Sequence, residues 1–192
     1  MKSILVVVAV AAAGAGALQA AERFPRPDVP MNIAVGAEFK LFARGHAIGT
    51  QNYICAPAAG GSGVEWRFIG PQATLFEDGV QTATHFHSMN PSRNNEIQAT
   101  WQDSKDTSGV WATRFDGSLD SAYVAPGAIE WLVLEVSGQV AGPADGTRLA
   151  KAKWIQRINT VGGVKPAAGL CTTATLNTRV FVPYEADYYF YQ

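Results

Sequence analysis

The sequence predicts an all-β protein, an antiparallel β-sandwich or distorted barrel with long loops. Apolar and polar residues alternate with a period of two in several segments, which places successive side chains on opposite faces of a strand. Turn-forming residues separate these segments, since the chain has 19 Gly and 10 Pro. No stretch shows the periodicity of a long amphipathic helix. Many short strands joined by turns are typical of sandwiches and barrels.

The predicted strands all lie beyond residue 39. They cover residues 53–56, 64–68, 97–101, 110–115, 132–134, 154–159 and 186–190. The segment 132–134 is apolar throughout, which predicts a strand that is buried on both faces. The polar segment 88–96 is predicted as the longest loop, and long loops on β scaffolds often carry functional residues.

The N-terminal residues 1–20 predict a cleaved signal peptide. Lys2 precedes the uncharged segment 4–13, and small residues then offer cleavage after Ala17 or Ala20. The apolar segment is shorter than the roughly 20 residues that span a bilayer, which argues against a membrane anchor. We therefore expect a secreted or periplasmic protein without a transmembrane segment after cleavage.

Two regions follow the predicted signal peptide. Residues 21–35 contain Pro25, Pro27 and Pro30, and this proline content predicts an extended N-terminal arm, since proline cannot donate to a sheet. Residues 36–192 are predicted to form a single β domain, a length that suits one hydrophobic core.

The two cysteines, Cys55 and Cys171, both lie in the part predicted to be exported. An oxidising compartment favours a structural disulfide between them. The alternative is a nucleophilic or metal-binding cysteine, but the chain has no Cys-x-x-Cys motif.

The charge pattern does not favour nucleic acid as a partner. The chain has 15 basic and 16 acidic residues, and the basic residues are scattered rather than clustered. The glycine-rich motifs of nucleotide-binding proteins are absent, and we predict no cofactor. The partner predicted from the remaining features is an unidentified small molecule or a component of the cell envelope.

The histidines His85 and His87 are two residues apart on a predicted strand and therefore share a face. They are the weak candidates for a metal site, although no metal site is predicted, because a third ligand such as His46 or an aspartate would have to be brought close by the fold. The alternative is that both are ordinary polar strand residues.

Five residues are candidates for ligand binding: His85, Trp101, Asp103, Asp106 and Trp111. Aromatic rings beside carboxylates suit a sugar or another small polar ligand. The alternative is that the rings fill the core and the carboxylates are solvated loop charges. No catalytic residue can be named, since serine-hydrolase motifs are absent and the acidic residues lack a diagnostic spacing.

A set of short motifs resembles a family of secreted bacterial and fungal proteins that is catalogued only as a domain of unknown function. The motifs are Gly-Thr-Gln-Asn-Tyr-Ile-Cys at 49–55, Trp-Arg-Phe-Ile-Gly-Pro-Gln-Ala-Thr-Leu at 66–75, His-Phe at 85–86, the 101–111 stretch between two tryptophans, Ile-Glu-Trp-Leu at 129–132, Ile-Gln-Arg-Ile-Asn-Thr-Val-Gly-Gly at 155–163, and Val-Pro-Tyr-Glu-Ala-Asp-Tyr-Tyr-Phe at 182–190. The resemblance runs from about Gly36 to the C-terminus. It implies one exported domain and supplies no reaction, cofactor or catalytic residue. His85 matches the family pattern, and His87 departs from it.

The leading prediction of function is a non-enzymatic binding or envelope-associated protein. The alternative is a metal- or carboxylate-dependent enzyme that acts on an extracellular, carbohydrate-like substrate. Convergence of His85, Trp101, Asp103 and Asp106 on one concave pocket would favour ligand binding or catalysis, whereas their scatter would favour a structural role.

Overall fold

The computed structural model describes residues 24–192, so the predicted signal peptide lies outside the described residues. The described chain forms eight β-strands and four single turns of 3-10 helix. The strands are β1 (Leu41–Pro57), β2 (Val64–Glu77), β3 (Val80–Asn90), β4 (Glu96–Asp103), β5 (Gly109–Ser118), β6 (Trp131–Val140), β7 (Trp154–Gly162) and β8 (Arg179–Tyr191). The 3-10 turns are Met31–Ile33, Pro91–Arg93, Ala168–Leu170 and Thr173–Thr175.

Each strand pairs antiparallel with the next, and β8 pairs with β1, so the sheet closes into an eight-stranded barrel. The all-β prediction is confirmed in its barrel form, whereas the sandwich form is wrong. Closure depends on the long pairing of the first and last strands, which extends from Leu41 opposite Tyr191 to Ile54 opposite Arg179. This pairing leaves no unpaired edge along the sheet.

Small inward-facing residues allow β1 to lie close to the other strands. Ala43 and Ala47 belong to the buried core. A Cβ atom at Gly45 would lie 3.0 Å from the Leu75 Cβ, and one at Gly49 would lie 2.1 Å from the Gln72 carbonyl oxygen. The absence of side chains at Gly45 and Gly49 therefore leaves room for Leu75 and for the backbone of β2.

The prediction of a long loop at 88–96 is wrong in extent, because β3 continues to Asn90 and pairs with the first residue of β4, Glu96. The fully buried Asn90 side chain stabilises the short turn between them: it accepts a hydrogen bond from the Ser92 backbone N–H at 2.9 Å and donates one to Gln98 Oε1 at 2.7 Å. The longer connections cover residues 119–130, 141–153 and 163–178.

One end of the barrel is closed by apolar side chains. Leu149 and Ala152, from the connection between β6 and β7, pack with Val110 and Phe190. The residues that precede β1 cover the outside instead: Ile33 packs against Trp131, and its carbonyl oxygen accepts a hydrogen bond from Gln156. Between residues 24 and 192, no helix is long and apolar enough to cross a membrane.

The predicted disulfide between Cys55 and Cys171 is confirmed. It attaches the connection 163–178 to the end of β1. Backbone hydrogen bonds join Cys55 to Asn177 and Thr178, and the Tyr53 hydroxyl donates to the Gly163 carbonyl oxygen at 2.8 Å. This connection is therefore fixed at the end of the barrel opposite to the one that Leu149 and Ala152 close.

Candidate functional site

The barrel contains a cavity of about 810 Å³ on the side of the 163–178 connection. Its mouth lies where β1, β3, β5 and β7 end. The cavity is lined in part by exposed residues, Ile97, Leu119 and Val164, which form its rim. Deeper in the barrel, the buried side chains of His85 and Trp101 also line it.

One wall of the cavity is apolar. Ala112 from β5 and the β6 residues Leu132 and Leu134 face the interior, because the alternate residues of each strand point inward. Ala99 from β4 and Ile129 extend this wall toward the rim. The wall can pack against the hydrocarbon or aromatic part of a ligand.

The opposite wall carries an aromatic cluster of His85, Trp101 and Tyr188. His85 and Trp101 are directly paired in the β3–β4 register, and their rings stack with centroids 4.1 Å apart and planes 11° apart. The Tyr188 ring lies 5.2 Å from His85 and 5.4 Å from Trp101. The three rings form one rigid surface inside the barrel.

His85 is neutral in this environment. Burial lowers its imidazole pKa to about 3, and this effect outweighs the hydrogen bond to Thr100, which acts in the opposite direction. Its Nδ1 lies 2.9 Å from the Thr100 carbonyl oxygen, which can only accept, so the proton resides on Nδ1. Nε2 is then left as a hydrogen-bond acceptor.

Arg157 is a partly buried, positively charged residue that lines the cavity. It lies on β7 opposite Tyr188 and donates from Nη2 to the Glu130 carbonyl oxygen at 3.0 Å. The carboxylate of Glu130 pairs instead with Arg114 at 3.2 Å. In the part of the chain that the structure describes, no carboxylate lies within ion-pair distance of Arg157.

The charge of Arg157 acts on two groups that line the cavity, His85 and Tyr188, and on the nearby Tyr184. Burial raises the pKa of Tyr184 and Tyr188, and the Arg157 charge acts against that increase at both tyrosines. The same charge contributes to the low pKa of His85. Arg157 therefore contributes to the electrostatic environment of all three groups, although burial has the larger effect on each.

Unpartnered polar atoms are concentrated at this site. Among residues 24–192, four buried side-chain atoms have no hydrogen-bond partner, and three of them, Gln51 Nε2, Trp101 Nε1 and Arg157 Nε, belong to cavity-lining residues. The fourth, Trp131 Nε1, lies outside the barrel core, where its ring packs against Tyr123. Buried polar groups are otherwise nearly always satisfied in folded proteins.

The structure brings only two of the five predicted ligand-binding residues, His85 and Trp101, to this cavity. Asp103 lies at the closed end, where its carboxylate accepts hydrogen bonds from the Lys105 and Asp106 backbone N–H groups and from Arg148 at 2.6 Å.

The other two candidates, Asp106 and Trp111, also lie away from the cavity lining. Asp106 accepts from the Ser108 hydroxyl and from the Arg148 backbone, and these bonds lower its carboxyl pKa despite the opposing effect of desolvation. Trp111 lies on the outer face of β5 and donates to Ser88 Oγ at 2.8 Å. A ligand contact at Asp103, Asp106 or Trp111 stays a prediction.

The histidines do not form a three-ligand cluster in the described chain. His85 and His87 both line the cavity, and the His87 ring lies against Phe68 with centroids 5.5 Å apart. His46 lies on the outer surface of the barrel and pairs with Asp187 at 2.8 Å. Residues 24–192 contain no group of three or more His, Cys, Asp or Glu side chains placed to hold a metal ion. That the protein purifies without stoichiometric metal stays a prediction.

Sequence reasoning did not identify the polar cavity residues Gln51 and Arg157. A signal was present for Arg157, since it lies two residues after Ile155 in an alternating strand and so shares its inward face. Charged residues at such positions are rare unless they are paired or functional. Gln51 follows the same logic on β1, on the same face as the inward-facing Ala47.

The fold and the site together define a closed, up-and-down eight-stranded barrel whose interior holds a cavity open at one end. Barrels of this size have room for side chains or for one small ligand. Residues 36–192 match the family model described as "Protein of unknown function (DUF3455)", and the chain belongs to this family. The family resemblance predicted from the motifs is thus confirmed. Comparison with curated proteins and with solved structures gives no significant match.

Proposed function

We propose that this protein is an exported binding protein whose barrel cavity holds one small organic ligand. The observation that carries the proposal is that Gln51, Trp101 and Arg157 line the cavity and that each has a buried side-chain nitrogen without a hydrogen-bond partner. An unsatisfied buried polar group costs about 1–3 kcal/mol. A ligand that accepts hydrogen bonds from these atoms recovers that free energy on binding.

The dimensions and lining of the cavity support the same proposal. A volume of about 810 Å³ lies within the roughly 300–1,000 Å³ of small-molecule sites. Such sites combine a mostly apolar lining with a few polar groups that orient the ligand. Here Leu132 and Leu134 provide apolar surface, while Arg157 and Gln51 provide the polar groups.

The site favours binding over acid–base catalysis. A general base is most effective when its pKa lies near the working pH, whereas burial lowers the His85 pKa to about 3. The carboxylates of Asp103 and Asp106 are engaged in hydrogen bonds at the closed end of the barrel. The carboxylate-dependent enzyme is therefore not the function that this cavity supports best.

Export to an oxidising compartment is part of the proposal. The Cys55–Cys171 disulfide supports it, since such bonds persist outside the reducing cytosol. Mass spectrometry of the exported protein tests it directly, and the expected N-terminus lies within residues 18–22. Recovery of the intact N-terminus in the membrane fraction would contradict it.

The binding proposal can be tested with the neutral, environment-sensitive dye N-phenylnaphthylamine. We expect saturable binding of about one equivalent, because the barrel cavity of about 810 Å³ has room for one small ligand. Ala112→Phe places a ring in the cavity and should weaken binding by about tenfold or more, since the ring occupies the ligand's volume. Ala144→Phe is the matched control, because Ala144 is exposed in the 141–153 connection.

Circular dichroism and thermal unfolding establish whether Ala112→Phe remains folded, and Ala99→Leu is a milder filling variant at the rim. Absence of saturable binding by the wild-type protein, for the dye and for a panel of apolar ligands, would refute the proposed function. Equal affinity of wild type and the folded filling variants would place the dye elsewhere and refute the assignment to the cavity.

A further inference from the structure

We propose that the cavity selects ligands that carry a single carboxylate on an apolar or aromatic body, with Arg157 as the residue that binds the carboxylate. This inference rests on the proposed binding function and specifies its ligand class. Three observations support it: the uncompensated charge of Arg157, the donor character of the unpartnered atoms, and the neutrality of the surrounding side chains.

The charge of Arg157 is not compensated within the described chain. Its hydrogen-bonding partners in the protein are uncharged, namely the Glu130 carbonyl oxygen and the Tyr188 side chain, and the neighbouring Glu130 carboxylate is paired with Arg114. The guanidinium of arginine keeps its positive charge in proteins. A charge in such a site requires a counter-charge for full stabilisation, and an anionic ligand can provide it.

The unpartnered atoms require acceptors. Trp101 Nε1 and Arg157 Nε can only donate, and the Gln51 amide nitrogen also donates. A ligand that satisfies them must present oxygen lone pairs rather than N–H groups. A carboxylate provides two such oxygens in one plane, which matches the fork of the guanidinium.

The number of positive charges distinguishes a carboxylate from a phosphate ester. Three cations line the cavity in the described chain: Arg157 is partly buried and lacks a carboxylate partner, Arg114 is paired with Glu130 at the rim, and Lys165 is exposed. A phosphate monoester carries about two negative charges at neutral pH and would retain excess charge on entering. One carboxylate balances one guanidinium.

The remaining surroundings suit the rest of such a ligand. His85 is neutral, and burial raises the pKa of Tyr184 and Tyr188, so these side chains add no charge at neutral pH. The apolar wall around Leu132 and Leu134 can cover a hydrocarbon chain or a ring. The preferred ligand is therefore amphiphilic, with its charged group beside Arg157.

The test compares ligands that differ only in the charged group. Decanoate is paired with decanol, naphthylacetate with naphthylethanol, and decyl phosphate provides the doubly charged analogue. Each competes with N-phenylnaphthylamine at neutral pH. We expect each carboxylate to bind at least about tenfold more tightly than its alcohol, the range of a charge-assisted hydrogen bond, and decyl phosphate to bind more weakly than decanoate.

Variants then assign the preference to a residue. Arg157→Gln should weaken carboxylate binding by roughly 10–100-fold and leave the alcohols nearly unchanged, whereas Arg157→Lys should retain part of the preference, since it keeps the charge and loses the planar fork. Lys165→Gln is the matched control: it removes the same charge from the exposed rim, where solvent and salt screen it, and should preserve the preference.

The outcomes separate this inference from the proposed function. Dye and alcohols that bind without any preference for the carboxylate would overturn the inference and leave the binding function in place. A preference that survives Arg157→Gln or disappears with Lys165→Gln would overturn the assignment to Arg157. A wild-type protein that binds neither dye, alcohol nor acid would overturn the proposed function itself. If Arg157→Gln does not fold, Trp101→Phe keeps a ring and removes one donor, and it should reduce the preference by a few-fold.

Discussion

Removal of the Cys55–Cys171 disulfide should destabilise the barrel strongly. The bond joins residues separated by 116 positions, and it restricts most of the domain in the unfolded state. The chain-entropy relation gives a loss of about 5 kcal/mol at 25 °C for a loop of this length. A domain of this size shifts its melting temperature by about 2–4 °C per kcal/mol, so the expected decrease is roughly 10–20 °C.

Two contributions to that loss can be separated by experiment. Guanidinium unfolding of oxidised and reduced wild-type protein measures the cross-link alone. Comparison of reduced wild type with a variant carrying Cys55→Ala and Cys171→Ala measures the packing of the two side chains, which lie in a buried cluster with Tyr53 and Trp66. The packing difference should be about 1–2 kcal/mol, well below the cross-link contribution.

The reasoning assumes that the reduced, unfolded chain is free to separate residues 55 and 171. If oxidised and reduced wild type differ by less than about 1 kcal/mol, that assumption is wrong. The unfolded state would then retain contacts between these segments, as residual structure in denatured chains allows.

Three further predictions concern side chains around the barrel. Asp103→Ala should lower the free energy of unfolding by about 2–3 kcal/mol, because it leaves Arg148 and two backbone N–H groups without their buried acceptor. Ligand affinity should stay unchanged. A large loss of affinity in the folded variant would argue against the placement of Asp103 at the closed end of the barrel. His85 is protonated more readily in the unfolded state, so the protein should lose stability as the pH falls below the unfolded pKa near 6.5. The free energy of unfolding should decrease by roughly 1.4 kcal/mol per pH unit down to about pH 3. His85→Gln should make this dependence of stability on pH less steep, and an unchanged dependence would contradict the buried neutral imidazole. Tyr53→Phe should cost about 1 kcal/mol, because it removes the hydrogen bond to the Gly163 carbonyl oxygen, and unfolding curves that coincide with wild type would contradict that bond.

The strands could be predicted from sequence because their signal is local. Alternation in segments such as 64–68 and 154–159 reports that one face is buried, and both segments lie within strands of the barrel. Closure could not be predicted in this way. Whether a sheet closes or packs on a second sheet depends on the pairing of β1 with β8, which lie at opposite ends of the domain sequence.

The site was predicted only in part, and the reasons are geometrical. Trp101 and Asp103 share the inward face of β4, but Asp103 lies two residues closer to the closed end, a displacement of about 7 Å at the rise of a strand. Trp111 faces outward, because its neighbours Val110 and Ala112 on the same strand face the interior. Proximity in sequence to Trp101 therefore did not imply proximity in the cavity.

The composition of the inward faces argues that the cavity is maintained for function. Toward the closed end, most inward positions are apolar, among them Ala43, Ala47, Val110 and Phe190, and the space is filled. Toward the open end, the same strands carry Gln51, His85 and Arg157 around empty volume. Stability alone would favour apolar residues here, since a partly buried charge without a carboxylate partner and an unfilled cavity both reduce the free energy of unfolding. A sequence that keeps both at one end of a well-packed barrel is best explained by a ligand that fills the volume and pairs with Arg157.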